Sequence, residues 1–265
     1  MKTALTIAGS DSSGGAGIQA DLKVFSVLGV YGMSAITAVT AQNTLGVYRA
    51  VEMEPSLVRE QIDHTAGDIQ PDATKTGMLG SRAIIEAVED SLNRNKLTPY
   101  VCDPVMVAKS GDALLKDDAV DAMKRKLFPH ATVITPNLRE TAALTGVSRI
   151  EPSIAVAKYA AKRLVDSGAR AVVIKGIESG DQTVDVFFDG REFLEFAAQT
   201  HAKEKTHGSG CAFSAAITAG LANRLNLVDA IDQAKNLVNL AIQHGDGQGR
   251  GTTPVNVLAF AQKKK

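Results

Sequence analysis

The sequence is poor in cysteine and carries no excess of charge. Cys102 and Cys211 are the two cysteines in 265 residues, too few for a disulfide framework, and they favour a reduced, cytoplasmic compartment. Lys plus Arg and Asp plus Glu both number 29, which argues against nucleic-acid or membrane-surface binding through bulk charge. No apolar run approaches the ~18 residues that a membrane span needs. We therefore expect a small-molecule partner, with no nucleic acid and no membrane.

The composition as a whole is that of a globular protein. Hydrophobic residues make up 45% and charged residues 22% of the chain, which permits a full core and excludes disordered, collagen-like and coiled-coil chains. The sequence contains no internal repeat, no low-complexity stretch and no linker long enough to separate domains. We expect a single domain over residues 1–265.

Short apolar runs alternate with longer segments of helical periodicity. Continuous apolar runs rich in β-branched residues predict buried strands at residues 4–8, 34–41, 100–102, 132–135 and 171–174. Helical patterns occupy residues 16–28, 55–69, 81–93, 117–127, 154–167, 210–224 and 228–244. Residues 184–188 and 193–196 predict an antiparallel hairpin. This order predicts an α/β fold with a central, mostly parallel sheet and helices on both faces.

A glycine-rich loop at residues 9–17 follows the first predicted strand. Its spacing Gly15-x-Gly17-x-x-Ala20 fits the dinucleotide fingerprint, but residues 34–43 lack the acid that would hold the ribose of NAD. The chain also lacks the G-x-x-x-x-G-K-[ST] loop of P-loop NTPases. Glycines here allow a ligand to approach the backbone closely, or serve only to pack helix against sheet. Asp21, one turn into the next helix, is a ligand candidate or a simple partner of the helix dipole.

A second glycine loop, residues 206–211, precedes another helix. Its free backbone N–H groups and the helix dipole suit a transferring phosphoryl group. We expect the dipole to lower the pKa of the Cys211 thiol, which could then accept a proton from a substrate hydroxyl. His207 either donates to phosphate or is an exposed histidine without a role. Cys102, inside an apolar strand, is expected to be a core residue.

Polar side chains follow three further predicted strands. Asp103, Asn137 with Glu140, and Lys175 should meet at one sheet edge, together with both glycine loops, because the carboxyl ends of parallel strands share that edge. Gln42 ends another strand at the same edge. Carboxylates and an amide suit a hydrated Mg²⁺, and a lysine suits phosphate. Taken alone, Glu140 could equally be a first-turn acid of a helix that begins near Asn137.

The sequence resembles the hydroxymethylpyrimidine kinase/phosphomethylpyrimidine kinase family of thiamine biosynthesis. The resemblance lies in six segments that appear in the family's order: residues 8–23 (AGSDSSGGAGIQADLK), 38–44 (AVTAQNT), 75–79 (KTGML), 103–106 (DPVM), 134–137 (ITPN) with Glu140, and 206–211 (THGSGC). It implies a ribokinase-like fold, usually in a homodimer. It also implies transfer of the ATP γ-phosphoryl group to 4-amino-5-hydroxymethyl-2-methylpyrimidine and then to its monophosphate.

The resemblance also implies roles for individual residues. The pyrimidine pocket would be lined by Gly9, Ala16, Asp21, Gln42, Met78 and Val105. The anion hole and catalytic base would be Gly208, Ser209, Gly210 and Cys211. The nucleotide would be bound by Asn137, Lys175, Gly176, Thr206 and His207. Mg²⁺ would be held, largely through water, by Glu140 with Asp103.

The chain departs from the family pattern at several positions. Ser209 replaces the usual Thr but keeps the hydroxyl, so the effect should be mild. Ile177 replaces a common second glycine, and residues 203–205 differ from the usual run, so the chain departs from the family pattern on the adenine side. The segment 249–257 lacks the usual histidine.

Two alternatives of different kinds remain. Some relatives with nearly the same motifs phosphorylate vitamin B6 alcohols, so the chain could be a pyridoxine or pyridoxal kinase. It could also be a regulatory protein that binds a nucleotide or pyrimidine without catalysis, although Cys211 and the intact anion loop argue against this.

Overall fold

One nine-stranded sheet runs through the molecule. The computed structural model describes residues 1–106, 117–147, 150–201 and 206–262. The strands are β1 (Thr3–Ser10), β2 (Tyr31–Asn43), β3 (Gly46–Glu52), β4 (Ala73–Thr76), β5 (Tyr100–Cys102), β6 (Val133–Ile134), β7 (Val172–Ser179), β8 (Gln182–Phe188) and β9 (Phe193–Gln199). The helices in the described ranges are α1 (Gly17–Val27), α2 (Pro55–Asp68), α3 (Arg82–Arg94), α4 (Asp117–Lys126), α5 (Leu138–Thr145), α6 (Ile154–Asp166), α7 (Ser209–Ala222), α8 (Leu227–Gln243) and α9 (Leu258–Gln262).

The middle of the sheet is parallel and its edges are antiparallel. The strand order is β3-β2-β1-β4-β5-β6-β7-β8-β9. The pairs from β2 to β7 are parallel, whereas β3, β8 and β9 add antiparallel strands at the two edges. The mostly parallel sheet predicted from the sequence is confirmed. The carboxyl ends of the parallel strands therefore meet at one edge, where open α/β sheets bind their ligands.

Helices cover both faces of the sheet, as predicted. Leu5 and Ile7 of β1 pack in a core cluster with residues of α2 to α6. Ala4 belongs to a second cluster with residues of α1, α7 and α8. Successive strand residues point to opposite faces, so a strand buried on both sides reads as the continuous apolar run seen in the sequence.

The sequence analysis did not predict two of the strands, β3 and β4. β4 has the sequence ATKT and is wholly buried, Lys75 included. Its polar residues gave no sign of a core strand. β3 lies at the sheet edge with most of its residues exposed and has no continuous apolar run. The sequence analysis also offered Glu140 as a first-turn acid of a helix that begins near Asn137. That helix is present as α5. The other predicted elements are present, with ends shifted by a few residues.

Candidate active site

A cavity of about 660 Å³ opens at the carboxyl edge of the parallel strands. Every residue that the sequence analysis assigned to a site lines this cavity, from Gly9 on the first loop to Cys211 on α7. Residues from β1, β4, β5, β7 and α7 meet there because the parallel topology brings their ends together. The cavity brings the candidates into one place; their individual roles stay predictions.

Asp11 organises the first glycine loop, and the sequence analysis did not select it. Its Oδ1 accepts from the Ser13 N–H and hydroxyl, both at 2.8 Å. Its Oδ2 accepts from the N–H groups of Gly15 (3.1 Å) and Ala16 (2.8 Å). Burial opposes ionisation, but hydrogen bonds from His207, Ser13 and Ala16 outweigh it and lower the pKa of Asp11 to about 2. The Asp-x-Ser turn was the signal that could have identified this residue.

His207 ties the two glycine loops together. Its Nε2 lies 3.0 Å from Asp11 Oδ2, and its relative exposure is 7%. The interpretation of His207 as an exposed loop histidine is therefore wrong. The sequence could not reveal the contact because its partner lies 196 residues away. This contact therefore couples the conformation of the first glycine loop to that of the second, at residues 206–211.

Close packing between these loops requires glycine at two positions. A Cβ on Gly15 would lie 2.4 Å from His207 Cδ2. Gly208 has φ of +77°, and a Cβ there would lie 1.8 Å from the Gly15 carbonyl oxygen. Any larger residue would push the loops apart. Gly208 is also the N-cap of α7, without a side-chain cap, so the first N–H groups of that helix suit an anion.

The Cys211 thiol is less acidic than the sequence analysis expected. Burial raises its pKa to about 12, and the carboxylates of Asp21 and Asp103 act in the same direction. Lys75 and the Gly17 N–H lower the pKa without overcoming these effects. The expectation of a lowered pKa was wrong because it considered only the helix dipole, whereas the fold removes the thiol from water and also places two carboxylates near it.

A fully buried ion pair lies at the base of the cavity. Lys75 Nζ lies 2.8 and 2.9 Å from the two carboxylate oxygens of Asp21. The Thr6 hydroxyl donates to Asp21 Oδ2 at 2.6 Å. Asp21 is thus the partner of a buried lysine rather than of a helix dipole. Lys75, in the segment KTGML, is a site residue that the sequence analysis quoted without assigning.

A second ion pair lines the same cavity. Lys175 Nζ lies 2.9 Å from Asp103 Oδ1, and the Thr135 hydroxyl donates to the same oxygen. The Ser214 hydroxyl donates to Asp103 Oδ2 at 3.0 Å. Both Asp103 oxygens therefore already accept protein hydrogen bonds. Lys175 lies in β7, where the pairing with β8 shifts register between Ile174 and Ile177.

Asn137 and Glu140 form a capping box at the start of α5. Asn137 Oδ1 accepts from the N–H groups of Arg139 and Glu140, and Glu140 Oε2 accepts from the Asn137 N–H at 2.7 Å. The first-turn interpretation of Glu140 is confirmed in this respect. Burial raises the pKa of Glu140 to about 7 against the lowering effect of Lys175. A cation near this carboxyl would favour its charged form.

Comparison with known proteins gives a consistent result. The family model described as phosphomethylpyrimidine kinase matches residues 11–256. The hydroxymethylpyrimidine/phosphomethylpyrimidine kinase of Bacillus subtilis is 45% identical over 97% of this chain and 95% of its own length. The chain belongs to the phosphomethylpyrimidine kinase family.

Two solved structures confirm the ribokinase-like fold. The Bacillus subtilis pyridoxal kinase, solved as an ADP complex, is 38% identical, covers 98% of both chains and gives a TM-score of 0.91. A phosphomethylpyrimidine kinase from Clostridium difficile is also 38% identical, covers 91% of this chain and 100% of that one, and gives a TM-score of 0.80.

On the far side of the cavity, this member of the phosphomethylpyrimidine kinase family has a third buried ion pair. Lys235 Nζ lies 3.0 Å from Asp185 Oδ2, and Asp185 Oδ1 accepts from the Gly176 N–H at 2.8 Å. The pair joins α8 to β8 and, through Asp185, to Gly176 at the register shift of β7. Sequence reasoning missed both residues because each lies within a regular element, away from any motif.

Residues 203–205, where the chain departs from the family pattern, lie outside the described residues. Within the described ranges, no three His, Cys, Asp or Glu side chains cluster as a metal site. In the same ranges, the helices are too short or too polar to cross a membrane.

Proposed function

We propose that this protein transfers the γ-phosphoryl group of ATP to the hydroxymethyl group of 4-amino-5-hydroxymethyl-2-methylpyrimidine, and then a second one to the monophosphate. The observation that carries the proposal is the single cavity that joins the first glycine loop and Gln42 to Cys211 and the anion loop. Its volume of about 660 Å³ lies within the range of small-molecule sites. The shared cavity allows donor and acceptor to meet in one enclosed space.

The pyrimidine half of the cavity is formed by β1, β2 and β4. Gly9 lies against Met78, where a Cβ would come within 3.1 Å of the methionine sulfur, so the wall is closely packed. Gln42 is anchored through its backbone, since Ser12 bonds to both its N–H and its carbonyl oxygen at 2.9 Å. Its side-chain amide offers both a donor and an acceptor to an aminopyrimidine edge.

The phosphoryl group would be held at the start of α7. Gly208 and Gly210 provide backbone N–H groups, whereas the Ser209 N–H already donates to the Thr206 carbonyl oxygen at 3.2 Å. Lys175 provides a positive charge next to them, since a Cβ on Gly210 would lie 3.3 Å from its Nζ. Phosphoryl transfer depends mainly on positioning and charge neutralisation. Because the pKa of Cys211 is raised to about 12, we assign proton transfer to Cys211 as a secondary contribution.

ATP and Mg²⁺ belong to the same proposal. The pyridoxal kinase of Staphylococcus aureus was solved with the ATP analogue AMP-PCP, which supports ATP as the donor here. Mg²⁺ usually takes one or two protein carboxylates and completes its shell with phosphate oxygens and water. Glu140 fits this requirement, whereas Asp103 is engaged with Lys175 and Ser214. When bound, Mg²⁺ would neutralise charge on the phosphates.

A paired substrate assay tests the proposal. The purified protein is incubated with ATP and either hydroxymethylpyrimidine or pyridoxine, and the mono- and diphosphate products are separated. Diphosphate formed from the pyrimidine is the expected result. Turnover of pyridoxine alone would refute the pyrimidine assignment, and ATP-dependent turnover of neither would favour the regulatory alternative.

Vitamin B6 phosphorylation is the second candidate. The observation in its favour is the likeness to the Bacillus subtilis pyridoxal kinase, with a TM-score of 0.91 at 38% identity. The 45% identity to the Bacillus subtilis hydroxymethylpyrimidine/phosphomethylpyrimidine kinase favours the pyrimidine activity. We therefore place B6 turnover as an alternative in the same cavity.

We also propose that the protein is a homodimer, as the resemblance implies. Light scattering coupled to size-exclusion chromatography tests this directly, and a mass of one chain of 27.9 kDa would refute it. The cytoplasmic location expected from the cysteine content stays a prediction.

A further inference from the structure

Local packing does not explain the buried ion pair of Lys75 and Asp21. Both side chains are 0% exposed, and Lys75 engages both oxygens of Asp21. Removing two charges from water is costly, so a buried ion pair is weak evidence for a stabilising role. This one lies at the wall of the reaction cavity, where its charges act on whatever binds there.

Cys211 lies close to this pair. It is the third residue of α7, which packs against α1, and the backbone N–H of Gly17 at the start of α1 lowers the pKa of the thiol. Asp21 lies one turn further along the same α1 helix, and Lys75 comes from β4, against which α7 packs. The thiol therefore lies where charges from two packed elements reach it.

The charged groups around the thiol come from every neighbouring element. Asp21 belongs to α1, Lys75 to β4 and Lys175 to β7, and Asp103 follows β5. Beyond them lie Glu140 on α5 and the pair of Asp11 and His207 on the two glycine loops. Each lysine is matched by an aspartate, so the loss of one member leaves a net charge near the thiol.

We propose that Lys75 and Asp21 are positioning residues that act in opposite directions on the protonation of Cys211. Lys75 is the counter-ion of the thiolate, and Asp21 keeps the thiol protonated. The balance between them sets the fraction of Cys211 present as thiolate, the form that can accept the hydroxyl proton of a substrate. The role in catalysis rests on the proposed function, but the charge coupling itself does not.

The test measures the thiol without any substrate. The rate at which iodoacetamide alkylates Cys211 is followed by peptide mass spectrometry over a range of pH, in the full-length chain. Only the thiolate reacts, so at a fixed pH well below the pKa the rate is proportional to the thiolate fraction. Lys75→Met should raise the pKa of Cys211 and lower this rate at least about tenfold. Asp21→Asn should lower the pKa and raise the rate by a similar factor.

A purely structural role of the ion pair would not change the alkylation rate in opposite directions in the two variants. Both variants break the same ion pair, so simple loosening of the fold would accelerate alkylation in both. Cys102 is buried in β5 and provides an internal control, because its alkylation in the same sample reports opening of the fold. Alkylation rates that change in the same direction, or not at all, while Cys102 stays protected would overturn the proposal.

Two further variants keep the test decisive. If Lys75→Met alone does not fold, comparison of Asp21→Asn with the double variant Asp21→Asn/Lys75→Met isolates the effect of Lys75, and the rate should again fall. Lys235→Met is the matched control, because it breaks a different buried pair on the same cavity and should leave the rate unchanged. If the expected shifts appear and no substrate is turned over, the charge coupling stands and the proposed function fails.

Discussion

Replacing Asp11 by asparagine should weaken both the fold and the activity. The carboxylate accepts hydrogen bonds from Ser13, Gly15 and Ala16 and pairs with His207. An asparagine has one acceptor oxygen, so its NH₂ group would face some of these donors. The result is a set of unsatisfied buried groups at the junction of the two glycine loops.

The size of the effect follows from the pKa of Asp11. The difference between about 2 in the folded chain and 3.8 for an ordinary aspartate corresponds to about 2.4 kcal/mol at neutral pH. Water in the cavity screens part of this, so we take about 2 kcal/mol as the electrostatic contribution. For a chain of this size that lowers Tm by about 4 to 8 °C. The repulsion between donors adds to this.

The pH dependence has a definite sign. Because the pKa of Asp11 is lowered in the folded state, its stabilisation is fully present above pH 4 and is lost as the pH falls towards 2. Urea unfolding of wild type and Asp11→Asn should therefore differ by about 2 kcal/mol or more at pH 7 and should converge in acid. The value of kcat/KM should fall at least about tenfold, since Gly208 loses its support.

Asp189→Asn is the matched control for this experiment. Asp189 also accepts two backbone hydrogen bonds, from Arg191 and Glu192, but in an exposed turn. We expect it to cost less than about 1 kcal/mol and to leave kcat/KM unchanged. A difference below about 0.5 kcal/mol between wild type and Asp11→Asn at pH 7 would refute the reasoning, as would a difference that persists undiminished in acid.

Three further substitutions test the assigned roles. Cys211→Ala should lower kcat far more than it raises KM, and an unchanged kcat would remove Cys211 as the base. Gln42→Leu should weaken pyrimidine binding at least about tenfold, because the amide is lost, while ATP affinity by calorimetry stays near normal; equal losses for both ligands would contradict the assignment. Glu140→Gln should raise the Mg²⁺ concentration for half-maximal rate severalfold, because a neutral amide is a weaker ligand, and an unshifted magnesium titration would count against it.

Much of the fold could be predicted because its signals are local. The apolar run that became β1 and the periodic stripe that became α6 are properties of consecutive residues. β4 could not be predicted in this way. Its Lys75 is buried only because Asp21, 54 positions earlier, supplies the opposite charge, and no local pattern contains that information.

The candidate site was predictable as a set of residues but not as a set of interactions. The ends of parallel strands must share an edge, so the meeting of Asp103, Lys175 and Cys211 followed from strand order. The burial of His207 did not follow, because it depends on Asp11 at the other end of the chain. The direction of the Cys211 pKa was wrong for the same reason: burial of the thiol, and then carboxylates distant in sequence, raise it, and both depend on the folded chain.

The sequence by itself determined the class of fold, the family and many of the side chains that line the cavity, since hydrophobic period, glycine position and motif order are carried by neighbouring residues. The tertiary structure alone decided which polar side chains are paired: Lys75 with Asp21, Lys175 with Asp103, and His207 with Asp11. Electrostatic energy depends on distance and burial in space. Partners 54, 72 and 196 residues apart can therefore be identified only once the chain is folded.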